Sequence, residues 1–221
     1  MEKQFNISPS SIKTFIWSKS KWAGSYILWI KDTQDNQDAL QLGKMFEEWL
    51  VTGKDNRWII DGIEISNKDK FIEDYDTLKW NAEGILIKWK QQVEVKWELF
   101  GVSCRGFIDN LTEDNIIEDI KTAQYLSKEW WQKNFWSGMT YKEEYELQLR
   151  IYYKLTWFNK CRIIEVSKHK YVTPKDKDRH EHQIIEFNFD EEYDKRMTEK
   201  YEPVVKEMVE LYNRFNKDIT K

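Results

Sequence analysis

Residues 91–123 constrain the fold more than any other stretch. "QQVEVKWELFG", "VSCRGFID" and "NIIEDIKTA" each alternate apolar and polar residues at period two, the pattern of half-buried strands. Only Phe100-Gly101 and the turn "NLTEDN" separate them. Strands joined this closely pair as antiparallel neighbours, so the pattern predicts a three-strand meander. The third run ends in "IIEDIKTAQ". Successive strand side chains point to opposite faces, so Asp119 and Lys121 share one face while Ile116 and Ile120 share the other. Taken alone, such a pair fits either an ion pair on a solvated sheet face or a pair with a chemical task. "CRGFIDN", one run earlier, ends in Asp109 just before the turn, which lets two carboxylates converge on one lysine. That set suits a hard divalent cation, which takes oxygen ligands and substrate phosphate. A neighbouring ammonium can then help a water attack phosphorus.

Helical and strand patterns flank the meander. In "NISPSSIKTFIW", Ser8 can cap a helix, Pro9 suits its first turn, and Ile12, Phe15 and Ile16 follow at helical spacing. "DALQLGKMFEEWLVTG" predicts a second helix with Leu42, Met45, Phe46, Trp49 and Leu50 on one face and Gly53 at its end. Gly43 leaves room there for another backbone. "RWIIDGIEIS" suggests a small hairpin and "DKFIEDYDTLK" a short helix. After an aromatic segment come the helix "KEEYELQLRIYYKLTWFN", strands in "CRIIEVSKHKYV" and "HQIIEFNFD", and an amphipathic helix from about 191 to 216. The expected fold is a single-domain α/β sandwich spanning 1–221, with a central mixed sheet flanked by helices. Its N-terminal helices cover 8–53 and its core about 83–190.

Composition narrows the setting. Eight Gly and three Pro in 221 residues favour long regular elements, and a net charge of −4 offers no global field for nucleic acid. The two cysteines, Cys104 and Cys161, make no disulfide framework and are too few for a four-cysteine iron–sulfur cluster. No apolar run approaches ~18 residues, so no membrane is expected as a partner, and a reduced cytoplasmic setting is the simplest. His169, His180 and His182 sit in a charged stretch without a second ligand pair at zinc-like spacing.

The order of motifs resembles a known superfamily. G-x-x-x-E at Gly43 and Glu47 is followed by "GFID", by "EDIKT", and by Q-x-x-x-Y at Gln148 and Tyr152. Together with the opening "ISPSSIKTFIWSKSKWAGSYI", this resembles the PD-(D/E)xK nucleases in their RecB-like and phage-exonuclease branch, over roughly residues 7–155. The resemblance implies a restriction-endonuclease-like core. It also implies a metal site of Glu47, Asp109, Asp119 and the Ile120 backbone carbonyl, filled by Mg²⁺ or Mn²⁺. Lys121 is implied as the catalytic lysine, and Gln148 and Tyr152 as residues that hold the substrate backbone or brace the site. Glu118 also precedes the lysine, but the pleat turns it away from Lys121.

Departures from the family pattern matter too. Ser18 and Lys19 stand where the family has Cys-Pro, and no distal cysteine cluster follows, so the iron–sulfur branches are poor models. The resemblance implies a stand-alone, metal-dependent deoxyribonuclease, with an exonuclease on DNA ends favoured. An endonuclease of the restriction or junction-cleaving type stays open, as do a catalytically silent nucleic-acid-binding protein and RNA as substrate. DNA is the implied partner; a single-strand annealing protein and a second copy of the chain are further candidates. Trp130, Trp131, Phe135 and Trp136 either clamp a loop over the core or stack on bases. Lys13, Lys19 and Lys21 are candidate phosphate contacts.

Overall fold

In the computed structural model, the meander of 91–123 forms with β1 (Lys90–Leu99), β2 (Val102–Leu111) and β3 (Ile117–Ala123) in antiparallel succession. The structure describes residues 6–28, 30, 34–85, 87, 90–124, 126, 140–169 and 180–219, with backbone alone at 34–36, 141–142 and 216–219. Phe100 and Gly101 both have positive φ, 54° and 77°. That is the backbone of a tight hairpin turn whose twist matches its strands. Asn115 (φ 58°) closes the second turn, where the Thr112 hydroxyl also accepts from the Ile116 amide at 2.9 Å.

Beyond the meander, α5 (Tyr141–Thr156) carries the chain to β4 (Lys160–Ser167), which pairs in parallel with β3. A parallel neighbour requires such a crossover. β5 (His182–Asn188) then adds antiparallel to β4, giving a five-strand mixed sheet in the order β1-β2-β3-β4-β5. This matches the predicted α/β sandwich.

Helices cover both faces. On one face, α3 (Gln34–Thr52) and α4 (Lys68–Asn81) bury Leu42, Met45, Phe46, Phe71, Tyr75 and Leu78 against Ile164 and Val166. On the other, α5 packs Leu149, Tyr152 and Tyr153 onto Ile108, Ile117, Ile163 and Phe187. The opposite side of α5 presents Leu147 and Ile151 to a third cluster. That cluster joins α1 (Pro9–Trp17), α2 (Lys19–Tyr26) and α6 (Glu191–Ile219) through Ile12, Phe15, Trp22, Tyr201, Val205 and Met208. Ser8 and Ser11 close a reciprocal capping box on α1, and Ser18, the residue in the family's cysteine position, caps α2 by accepting from the Lys21 amide.

The predicted hairpin at 57–66 does not form: Arg57–Gly62 is a 3-10 helix. Asp55 accepts from the Arg57 amide at 3.0 Å and the Ile59 amide donates to the Asn56 carbonyl at 3.0 Å, so local turns win. Only Ile60 of that helix is buried, in the α3–α4 cluster. His180 and His182 donate through Nδ1 to the carbonyls of Trp80 and Asn81, at 2.6 and 2.7 Å. They fasten the edge of β5 to the end of α4. Trp130, Trp131, Phe135 and Trp136 lie outside the described residues.

Candidate active site

The site lies where the meander opens. β2 and β3 pair only at Asn110↔Glu118 and Leu111↔Ile117, although both strands run on. Farther along β2, Ile7 takes the vacated edge, with its amide 2.9 Å from the Ser103 carbonyl and its carbonyl accepting from the Arg105 amide at 3.0 Å. In the cleft between, Asp109 Oδ2 accepts from the Ile120 amide at 2.9 Å, replacing a ladder hydrogen bond with one to a carboxylate. A residue in extended backbone points its N–H and C=O to the same edge, so the Ile120 carbonyl faces this cleft as well.

Asp119 is fully buried and anchored on two sides. Its Oδ1 accepts from Gln148 Nε2 at 2.6 Å, and Lys121 Nζ lies 2.6 Å from its Oδ2. No other described donor reaches that second oxygen. Gln148 Nε2 also lies 3.3 Å from the Tyr152 hydroxyl, which donates to the Phe107 carbonyl at 2.6 Å. Thus α5 braces both strands of the cleft. Glu118 turns to the other face, where Asn110 and Arg162 donate to it.

Glu47 arrives from α3 and accepts from Gln92 Nε2 on β1, while the same nitrogen lies 3.5 Å from Asp109 Oδ1. Gln92 sits opposite Asp109, between the pairs Gln91↔Asn110 and Val93↔Ile108, and its φ is 48°. A side-chain-bearing residue held in that region costs about 1–3 kcal/mol.

The charges are mutually stressed. Burial pushes the Asp109 carboxyl up to about 8, and the Asp119 charge adds to it. Burial also raises Glu47, against the Gln92 hydrogen bond and with help from Asp119. Burial works against the Lys121 ammonium, but Asp119, Asp109 and Glu47 outweigh it and hold its pKa above the ordinary lysine value. Lys121 is therefore a cationic donor at neutral pH, not a base.

The donors present are all oxygens, which suits a hard divalent cation. The buried Asp119 oxygen that only Lys121 meets and the proton-retaining Asp109 both mark missing positive charge. The set is not a closed cage: among the described residues no three acidic, histidine or cysteine side chains stand ready to ligate one ion together. The Gln92 amide lies between Glu47 and Asp109, and Lys121 occupies Asp119. A bound ion would take one or two carboxylates, the Ile120 carbonyl and water or phosphate, a set Mg²⁺ accepts.

The elevated Asp109 pKa sets a pH dependence. An unfolded aspartate ionises near ~4, whereas folded Asp109 keeps its proton up to about 8. Between these values the folded state binds the extra proton, so this group's stabilising contribution is lost as pH rises. Denaturant midpoints in EDTA should fall from pH 5 to pH 8, and Asp109→Asn should flatten that slope; equal slopes would show Asp109 already ionised. Mn²⁺ affinity should rise over the same range, because binding displaces the proton.

Two glycines behave differently from expectation. A Cβ at Gly43 would meet Thr122 Oγ1 at 4.0 Å, an ordinary contact, so no close backbone approach demands glycine there. Gly106, the first residue of the "GFID" motif, would place a Cβ 2.7 Å from Tyr152 Cε1. Gly106→Ala should cost about 1–3 kcal/mol by overpacking and disturb the Tyr152–Gln148 brace. In a Tyr152→Ala background the added methyl should cost almost nothing, a coupling that denaturant melts of the four proteins would measure.

Lys13 pairs with Glu144 at 2.9 Å, Lys19 with Glu207, and Lys21 lies 4.3 Å from the Trp17 ring centre, so all three are engaged within the fold. Among the described residues no helix is long and apolar enough to cross a membrane.

The class of protein is that of the PD-(D/E)xK superfamily, which the order of motifs resembles. Residues 8–217 match the family model of DUF3799, a PDDEXK-like domain of unknown function, and the chain belongs to that family. Among solved structures, two are similar to it in fold. One, from Eubacterium rectale and provisionally described as an exonuclease, superposes with a TM-score of 0.59 at 15% identity, over 94% of this chain and 81% of that one. SSO0001 gives 0.51 at 17% identity, over 99% and 82%. A phage-related exonuclease from Haemophilus somnus 129PT gives 0.41 at 14% identity, over 93% and 97%, too low to carry weight. No curated protein matches the sequence.

Proposed function

We propose that this protein is a divalent-metal-dependent deoxyribonuclease that hydrolyses phosphodiester bonds, acting by preference on DNA ends. The observation that carries the proposal is the convergence of Glu47, Asp109 and Asp119 on one protonated lysine at the split between two strands. Glu47, Asp109, Asp119 and the Ile120 carbonyl would hold Mg²⁺ or Mn²⁺. Such an ion supplies positive charge to the phosphate and acidifies water.

The chain's own groups do the rest. Lys121 donates to the phosphate oxygens and so orients the phosphate with the water opposite the leaving sugar oxygen. As the new P–O bond forms, the water's proton passes to bulk solvent, the opposite P–O bond breaks, and the leaving oxygen takes a proton from water. Gln148 fixes the Asp119 carboxylate, leaving its other oxygen toward the ammonium. Tyr152, its hydroxyl proton held well above the ordinary tyrosine range by burial, stays neutral and pins the Phe107 carbonyl.

The outward face of β2 continues from Asp109 through Phe107 to Arg105, whose guanidinium lies 5.0 Å from the Phe107 ring centre and pairs with Glu94 at 2.5 Å. Phe107 is 42% exposed. A ring and a cation in line with the carboxylate suit a nucleic-acid strand entering the cleft.

Incubation with linear and covalently closed circular DNA, with Mg²⁺, Mn²⁺ or EDTA, tests the proposal. Loss of linear DNA alone supports end digestion, and nicking of circles points to an endonuclease. Intact DNA under every metal would leave only a binding protein on a nuclease scaffold.

A further inference from the structure

We infer that Gln92 is a positioning residue that presets Glu47 and Asp109 for the incoming cation; the inference rests on the nuclease assignment of the same cleft. Three observations meet at this residue. Its backbone adopts a φ of 48° within β1, a region that side chains rarely occupy, and the β1–β2 pairing lapses there between two regular pairs. Its Nε2 donates to Glu47, and lies 3.5 Å from Asp109 Oδ1. Its partners sit on different elements, Glu47 on α3 and Asp109 on β2, so one amide ties the helix to the catalytic hairpin.

The electrostatics give that tie a purpose. Glu47 and Asp109 are both acidic and share the Gln92 amide, so their charges repel; after burial and Asp119, the Glu47 charge also helps raise the Asp109 carboxyl. Glu47 stands on a flexible stem at a partly exposed helix position. Without a donor between them, Glu47 would turn to solvent and have to be recovered each time an ion binds. A neutral amide holds the two oxygens at close range without the full charge of a lysine, so an arriving cation can displace it. Strained backbone at such a point fits a functional demand better than a structural one, because glycine would fill the same turn without strain.

Mn²⁺ titration calorimetry and metal-free thermal melting of the full chain separate these roles. Gln92→Gly removes both amide and strain; Gln92→Ala removes the amide and keeps the strain. Both should bind Mn²⁺ roughly 10–100-fold more weakly, the usual loss when a group that orients a ligand is removed. The glycine variant should nevertheless melt at or above the wild-type temperature, and above the alanine variant. Mn²⁺ affinity within twofold of wild type in both variants would overturn the inference, as would a glycine variant that loses affinity and melting temperature together. Asp119→Ala serves as the reference for the cleft itself. If wild type binds no Mn²⁺, or binding survives Asp119→Ala, the cation assignment fails along with the role of Gln92. If Asp119→Ala weakens Mn²⁺ binding while the Gln92 variants leave it unchanged, the nuclease assignment stands and the positioning role alone falls.

Discussion

Lys121→Ala is expected to slow cleavage by roughly 10²–10³-fold, the range for losing one preorganised donor to developing charge, without weakening Mn²⁺ binding. Lys121 Nζ is 2.6 Å from a fully buried carboxylate oxygen and is itself 28% exposed. Its pKa is held above the ordinary value by three carboxylates against the opposing effect of burial. It thus brings a permanent positive charge to the place where a phosphate and a water would meet. Its removal leaves Asp119 buried beside two other acids, so the metal-free variant should also lose stability. The loss should fall short of the about 3–5 kcal/mol found when a fully buried pair is broken, because water reaches this lysine. Mn²⁺ should restore much of it by replacing the missing charge. An ion pair with no chemical role predicts a similar loss of stability, because Asp119 is fully buried either way, but full activity. Cleavage rates and melting curves with and without Mn²⁺ decide between them.

Asp119→Ala is the second large effect. It should abolish cleavage and weaken Mn²⁺ binding by more than the roughly 10–100-fold that a merely supporting residue costs. Its influence on the fold should be mixed. Gln148 loses the acceptor it holds at 2.6 Å and Lys121 its nearest counter-charge, while Asp109 and Glu47 are freed from a repelling neighbour. The Asp109 pKa should drop below about 8, since the Asp119 charge is the second cause of its elevation after burial. A shallower fall of stability with pH in EDTA, compared with wild type, would register that drop. Calorimetry that finds wild-type Mn²⁺ affinity in this variant would remove Asp119 from the cation site.

Much of this arrangement is legible in the sequence because it follows from local periodicity. The alternation in "QQVEVKWELFG", "VSCRGFID" and "NIIEDIKTA" specifies strands, the short turns specify their pairing, and the pleat puts Asp119 and Lys121 on one face. Ser8 and Pro9 announce α1 through a cap and a first-turn residue that act within one turn. Features that depend on contacts between distant elements are silent. Gly106 is required only because Tyr152 of α5 crosses it, and nothing near residue 106 signals that tyrosine. Gln92 reads as an ordinary polar strand residue; its left-handed backbone is seen only with Glu47 and Asp109 in place. Arg150 reads as a helix surface residue, yet it is fully buried and reaches Asp194 and Thr198 of α6 at 2.9 and 2.7 Å. The hairpin expected at 57–66 failed for the reverse reason, because a turn capped by the Asp55 side chain and one closed on the Asn56 backbone carbonyl outcompeted a weak alternation.

A Mn²⁺-soaked crystal, examined by anomalous scattering, tests the cation site most directly. The predicted result is a peak between Asp109 and Asp119, within ligand distance of the Ile120 carbonyl, with the Gln92 amide withdrawn from Asp109. A peak at His180 and His182 with none in the cleft would contradict it, as would an empty cleft at saturating Mn²⁺ in the presence of an oligonucleotide.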